Sequence, residues 1–290
     1  MAMPKRRIRG TGKRGVTRVG RIAVGMVLCW LLAFPAQGAP PPWTLGVFPI
    51  VTPVTLFQRF SPLAHYLGER LDHPVVLETA KDFPTFVQRT SQARYELLVT
   101  APHFAVRAED EGRYRIVASL KKSLRGLYVV HQDSPLRNLE DLAGKVVATP
   151  PPQAIITAAG KLDLREVVGL TGERAPRYRA FRSHNAAYQA VLGGQVDAAV
   201  VSVNAVRRAL DRGAPLRVLG KTRPLPNMAF LVRRDLGPEV ASRVAAILAA
   251  MDSDPQGRRV LAKLGFPGYR PASLADYEVL RPYLSLLGRR

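Results

Sequence analysis

The sequence predicts an α/β fold with largely parallel sheets. Short Val/Ile/Leu-rich runs alternate with stretches of helical spacing along the chain after residue 42. Runs such as VVAT (146–149) and VDAAVV (196–201) are nearly continuous in apolar residues, as in strands covered on both faces. Junctions between the two kinds of segment repeatedly carry Pro, Ser, Thr or Asn, which suit helix starts.

Trp43–Phe48 reads as a buried strand closed by Pro49. Val54–Leu71 places apolar residues at 56, 57, 60, 63, 64, 67 and 71, a helical spacing. A strand at Val75–Leu77, a short helix at Phe83–Arg89 and a strand at Tyr95–Val99 follow. Pro102 opens a helix to Glu111, at a position where its missing N–H costs nothing. Tyr114–Leu120 and Gly126–His131 are strands, Asn138–Ala143 a short helix, Lys145–Thr149 a strand and Ile155–Leu170 a helix. Arg177–Phe181, Val196–Val201, Leu216–Gly220 and Met228–Val232 complete the strands, with helices at Asn185–Leu192 and Val203–Asp211. The tail reads as three helices, 238–251, 255–264 and 273–287.

The chain has 290 residues, of which 47% are hydrophobic and 22% charged, a globular balance that excludes a disordered chain and a multi-span membrane protein. Its net charge is +21, with 43 basic and 22 acidic residues. Residues 1–38 contain eight of the basic residues and no acidic one, so the remaining 252 residues carry 35 against 22, a net +13. The same segment holds a thirteen-residue apolar run, Ile22–Phe34, then Pro35 and the small residues Ala36 and Gly38. A spanning helix needs about twenty apolar residues. The three parts together predict a secretory signal peptide over 1–38, cut after Gly38, and a protein acting in the periplasm. An uncleaved anchor is the alternative. Leu28 before Cys29 argues against a lipoprotein. The G-x-G-x-x-G pattern at Gly10–Gly15 follows no strand and opens no helix, so it carries no phosphate-binding meaning. Cys29 is the single cysteine, so the chain after the cut is expected to hold no disulfide and no cysteine metal site.

Catalytic signatures are missing: there is no G-x-S-x-G elbow, no Walker loop and no H-E-x-x-H. The five histidines, 65, 73, 103, 131 and 184, have no metal-ligand spacing. Glu78 and Asp82 are better read as a strand end and a helix cap than as a catalytic pair. Neither an enzyme, nor a cofactor, nor a metal site is expected. The basic residues after 38 are dispersed, so nucleic acid is not expected either.

What remains is a set of strand ends leading into helix starts. These are Phe48-Pro49 with Thr52-Pro53, Thr100 to His103, Thr149 to Gln153, Ser183 to Asn185, and Ser202 to Asn204. Ligands of open α/β sheets sit beyond the carboxyl ends of the strands, where helix N-termini favour anions. Capping alone explains any one of these loops; five of them point to a binding cleft. The candidate ligand-binding residues are Phe48 as an aromatic wall, Thr100, His103, Arg125, Tyr128, Thr149, Gln153, His184, Asn185 and Ser202.

Four segments carry a family resemblance: GVFPIVTPVTLFQRFSPLAHYLGERL (46–71), ETAKDFPTFVQ (78–88), SPLRNLEDLAGKVVAT (134–149) and FRSHNAAYQAVLGGQVDAAVVS (181–202). In these the chain resembles the periplasmic substrate-binding proteins of phosphate, phosphite and phosphonate transporters, the PhnD-like family. The resemblance implies a two-lobed type II periplasmic binding protein fold with two hinge crossings. One lobe would comprise 43–121 plus 221–290, and the other 122–220. It also implies a monomer that captures a small anionic solute for the membrane permease of an ABC transporter. The alternative is a ligand-sensing partner of a membrane kinase, since Thr100-Ala101-Pro102-His103-Phe104 resembles sensor-type relatives. Two departures bear on the ligand. Asn185 stands where the family often has Asp, and Ser202 lies near another lost carboxylate, which argues against an ammonium-bearing solute. Pro150, Pro151 and Pro152 remove three backbone donors from the turn before the Ile155 helix, so a tight oxyanion nest is not expected there.

Overall fold

Two sheets organise residues 40–287, the part of the chain that the computed structural model describes. The expected signal segment 1–38, Cys29 included, lies outside the described residues. The first sheet contains β1 (Trp43–Val47), β2 (Val75–Glu78), β3 (Leu97–Thr100), β4 (Tyr114–Leu120), β10 (Ala229–Arg233) and β11 (Tyr269–Pro271). Its order is β11-β4-β10-β3-β1-β2. The second contains β5 (Gly126–His131), β6 (Val146–Thr149), β7 (Arg177–Ala180), β8 (Ala198–Ser202) and β9 (Leu216–Lys221). Its order is β7-β6-β8-β5-β9. The chain therefore leaves the first sheet after Leu120 and returns to it at Ala229.

The helices fall close to the periodic segments: α1 (Pro53–Leu71), α2 (Phe83–Ser91), α3 (Pro102–Asp110), α4 (Ile155–Glu166), α5 (His184–Leu192), α6 (Val203–Asp211), α7 (Gly237–Ala250) and α8 (Pro255–Leu264). The apolar stripe of α1 is buried as its spacing requires, through Leu56, Phe60, Leu63, Leu67 and Leu71. These side chains pack with Leu45 and Val47 of β1, Phe230 of β10 and Leu248 of α7 in one core. A second core joins Val129, Ala199 and Val201 to Ala187 and Val191 of α5. A third cluster runs across both sheets, from Tyr114 and Ile116 to Ile156 and Leu162, and includes Tyr277 and Tyr283 of the C-terminal segment.

The sheets are mixed rather than largely parallel. Only β1/β2, β1/β3, β6/β7 and β6/β8 are parallel. Strand β10 runs antiparallel to β3 and β4, and β5 antiparallel to β8 and β9. Both β5 and β10 arrive from the other sheet rather than from a preceding helix on their own. A crossing strand is free of the right-handed βαβ connection that makes neighbours parallel. Two further differences lie in the tail. Tyr269–Pro271 forms β11 against β4, and 273–287 is not one helix: a 3-10 segment, Leu274–Leu280, leads into a short helix, Arg281–Leu284. Pro282 has no N–H to donate back to residue 278, so an uninterrupted helix would lose a bond there.

The crossings occupy 121–125 and 222–228, the second a few residues later than the sequence suggested because β9 continues to Lys221. Asn227 ties them: its Nδ2 donates to Lys122 O at 2.8 Å, and its Oδ1 accepts from Met228 N at 2.8 Å. The Tyr277 hydroxyl donates to Asn227 O at 2.9 Å, which seats the C-terminal segment against the second crossing.

Candidate ligand-binding cleft

The carboxyl ends of the parallel strands in both sheets open onto one cleft of about 3990 Å³. Small-ligand pockets hold roughly 300–1,000 Å³. This volume is that of an open groove between two lobes. The first lobe lines it with Phe48–Val51, Lys81–Pro84 and Ala101–Phe104, and the second with Pro151–Ile156, Arg182–Asn185 and Ser202–Ala205; Lys122–Arg125 of the first crossing lie between. The placement follows from the parallel pairs: strands β1 and β3, and likewise β6 and β8, end at the same edge, so the loops after them share one side.

Of the ten residues singled out from the sequence, Phe48, His103, Arg125, Gln153, His184, Asn185 and Ser202 line this cleft. Thr100, Tyr128 and Thr149 do not; all three are buried. The Tyr128 hydroxyl donates to Gly160 O of α4 at 2.8 Å, and burial pushes its pKa up. Alternation along β5 turns Tyr128 onto the face that α4 covers, a choice of face that a fully apolar strand does not reveal. Thr100 and Thr149 are the last residues of β3 and β6, still inside the sheets. Sequence reasoning passed over Lys81, Phe83, Phe104, Lys122 and Arg182, which also line the cleft. The available signal was their position, each within a few residues of a strand end or a crossing.

Helix N-termini provide the donors. Helix α4 is preceded by Ala154, which has no capping oxygen, and the N–H groups of Ile155 and Ile156 have no acceptor among the described residues. The three prolines precede the helix, so they do not remove these donors. Thr157 Oγ1 instead donates to Pro150 O and Pro151 O, bracing the turn. Helix α3 likewise lacks a side-chain cap at Ala101. Helices α5 and α6 are capped: Ser183 Oγ accepts from Ala186 N at 3.1 Å, and Ser202 Oγ from Ala205 N at 3.3 Å.

Two histidines line the cleft, one from each lobe. His184 Nδ1 accepts the Ser202 N–H at 3.1 Å. That bond requires an unprotonated Nδ1, so the neutral ring carries its proton on Nε2, free to donate to a ligand oxygen. Burial lowers the His184 pKa from 6.5 to about 4 and keeps the ring neutral. His103 is 7% exposed and neither ring nitrogen has a partner. Burial lowers its pKa from 6.5 to about 4 as well.

The cleft is biased to positive charge. Ten basic residues line it against four acidic ones, Asp82, Asp110, Glu111 and Asp211. Three of the four acids are engaged. Asp82 caps α2 by accepting from Thr85 N at 2.8 Å, Glu111 accepts from Arg107 Nε at 2.8 Å, and Asp110 accepts both Arg281 Nη groups at 3.0 and 3.1 Å. Lys81, Lys122, Arg125, Arg182, Arg207 and Arg208 make no ion pair among the described residues. Arg125 gives one Nη1 bond of 3.3 Å to Thr222 O. No group of three or more metal-ligating side chains occurs among the described residues.

Two α/β lobes flanking a cationic cleft of helix starts define a solute-binding protein. The chain belongs to the family described as the periplasmic phosphonate substrate-binding proteins of ABC transporters, whose model matches residues 45–277. It is similar in fold to XAC2383 from Xanthomonas citri bound to chloride ion, with a TM-score of 0.70 and 18% identity over 84% of this chain and 96% of that one. PhnD1 from Prochlorococcus marinus in complex with methylphosphonate gives a TM-score of 0.69 and 14% identity, over 83% and 96%. A binding protein component of an ABC phosphonate transporter from Pseudomonas aeruginosa gives 0.64 and 16%, over 83% and 84%. The family is one of binding proteins, not enzymes, and its members act in the periplasm. This chain is accordingly a periplasmic solute-binding protein of the ABC-transporter type. The signalling alternative draws no support from these matches.

Proposed function

We propose that the chain, exported by a signal peptide cut after Gly38, works as a monomer. In this reading it closes its two lobes on a small oxyanion without a free amine and presents it to the permease. The observation that carries this reading is the unbalanced charge of the cleft: among the described residues only Arg107 of its ten cations is in an ion pair, which leaves nine, against two acids, Asp82 and Asp211, likewise without one. An ammonium group needs a buried or paired carboxylate, and Asn185 and Ser202 offer none. In this reading the N–H groups of Ile155 and Ile156 and the Nε2–H of His184 donate to the oxyanion. Arg125 adds a planar fork that suits a carboxylate, phosphate or phosphonate. Phe48 walls the site, and His103, Gln153, Asn185 and Ser202 complete its lining.

Calorimetry on the chain from Ala39 onward tests it, with methylphosphonate, inorganic phosphate and 2-aminoethylphosphonate as probes. The expected result is binding of an oxyanion, no micromolar binding of the aminophosphonate, and a loss of about tenfold or more in Arg125→Ala, roughly the 1.4 kcal/mol expected of a charged hydrogen bond. Tight aminophosphonate binding contradicts the ligand class, and an unchanged affinity in Arg125→Ala removes the role given to that residue.

A further inference from the structure

The C-terminal segment, 274–287, touches both lobes, and by different means. Toward the first lobe its bonds are polar and directional. Arg281 donates through both Nη groups to Asp110 of α3, at 3.0 and 3.1 Å, and Asp276 accepts from Arg270 of β11 at 2.8 Å. Tyr277, fully buried, donates to Asn227 O of the second crossing at 2.9 Å.

Toward the second lobe the contact is apolar. The short helix Arg281–Leu284 lies against α4. Buried Tyr283 and partly buried Leu284 share one apolar cluster with Ile156 and Leu162 of α4, and with Ala105 and Ala108 of α3 on the other lobe. Among the described residues no hydrogen bond or ion pair joins 274–287 to α4. The Arg223 guanidinium stands 5.9 Å over the Tyr283 ring, and Arg223 is itself held to α4, its Nε donating to Asp163 Oδ1 at 2.6 Å and its N to Oδ2 at 2.7 Å. A directional bond fails when its partners shift by an ångström or so, whereas an apolar face can slide. When the lobes turn, the segment therefore stays with the first lobe, and the slip falls on its face against α4.

We infer that segment 274–287 is a strap that holds the ligand-free protein open: Arg281 and Tyr277 fix it to the first lobe, and the contact of Tyr283 and Leu284 with α4 loosens when the lobes close. This deepens the lobe closure proposed above and rests on that reading. The form in which the contact is made is the open one, with its cleft of about 3990 Å³. A contact made in one form and loosened in the other stabilises the first. The strap thereby lowers the apparent affinity for the solute, because affinity scales with the fraction of protein free to close.

The chain from Ala39 onward has no cysteine, so Ser61→Cys on α1 and Gln195→Cys after α5, both at exposed positions, place one spin label on each lobe. Dipolar spectroscopy then reads the interlobe distance without ligand, in the labelled parent and with Tyr283→Ala or Arg281→Gln added. Calorimetry with methylphosphonate and inorganic phosphate reads affinity in the same three proteins. The expected result is a second, altered distance population in the ligand-free variants, larger in Tyr283→Ala, and binding about threefold or more tighter in that variant. Arg281→Gln should move both readings in the same direction. It changes an exposed pair and leaves the core intact, so it decides the matter where Tyr283→Ala does not fold. Unchanged distances in the folded variants, or a bound probe whose affinity does not rise, overturns the inference while the oxyanion reading stands. Where neither probe binds, the oxyanion reading falls and the ligand-free distances alone uphold or overturn the strap.

Discussion

Leu124 and Leu225 exchange both backbone hydrogen bonds, each N–H donating to the other's carbonyl at 2.9 Å, and so pair the two stretches of chain that join the lobes. Paired crossings have fewer independent backbone torsions than two free linkers. A closure of the lobes would therefore turn about this short ribbon. Asn227 extends the ribbon to Lys122, and Tyr277 fastens the C-terminal segment to it.

Asn227→Ala removes two hydrogen bonds and leaves the Lys122 carbonyl without its donor. Lys122 is exposed, so water can replace the lost donor, and the expected cost is about 0.5–1.5 kcal/mol of unfolding free energy, that of an ordinary hydrogen bond. Urea denaturation of the variant beside the wild type measures it, and an unchanged midpoint removes the bracing role given to Asn227.

Buried His103 makes stability depend on pH. Its folded pKa, about 4, lies below the unfolded 6.5. Between these values the unfolded chain binds more protons than the folded one, so stability falls as pH drops from about 6.5 to 4 and the lost part is not regained below 4. Above pH 7 the group has no effect. In His103→Leu the carboxylates still titrate but this contribution is gone, so thermal midpoints at pH 7 and pH 4.5 should differ less than in the wild type. An identical pH dependence would show that His103 does not remain neutral when buried.

Tyr128 and Gly160 form a core contact next to the cleft rather than part of it. A Cβ on Gly160 would stand 2.7 Å from Val200 Cγ1. Gly160→Ala should therefore cost about 1–3 kcal/mol through overpacking. Tyr128→Phe should cost about 1 kcal/mol by losing the bond its hydroxyl donates to Gly160 O. Neither should change oxyanion affinity at a temperature where the variants are folded. A tenfold loss of affinity in Tyr128→Phe, measured by calorimetry, would return Tyr128 to the ligand site.

Processing is the fourth expectation. Intact mass of the protein recovered from the periplasm should correspond to a chain that begins at Ala39 and contains no cysteine. Retention of Cys29 would favour the anchored alternative.

Local pattern alone determined a good part of this protein. The apolar spacing of 56–71 sets the buried face of α1, and Asp82, Ser183 and Ser202 declare the helix starts they cap. The quoted motifs were enough to assign the family, because they record residues rather than contacts. The places where ligand residues could lie were also legible, since strand ends and helix starts are themselves local features.

Tertiary structure alone decided which of those places share a cleft, and which residues turn away from it. Tyr128 is fixed beneath α4 while Arg125, three residues earlier in the crossing, lines the cleft, because a strand apolar on both faces carries no mark of which face a helix will cover. The antiparallel entry of β10 between β3 and β4, the short strand β11 and the Leu124–Leu225 ribbon all depend on pairing between residues about a hundred or more apart. Periodicity records which side chains avoid water, whereas the partner each one meets is settled only when the two sheets and the segments between them have packed.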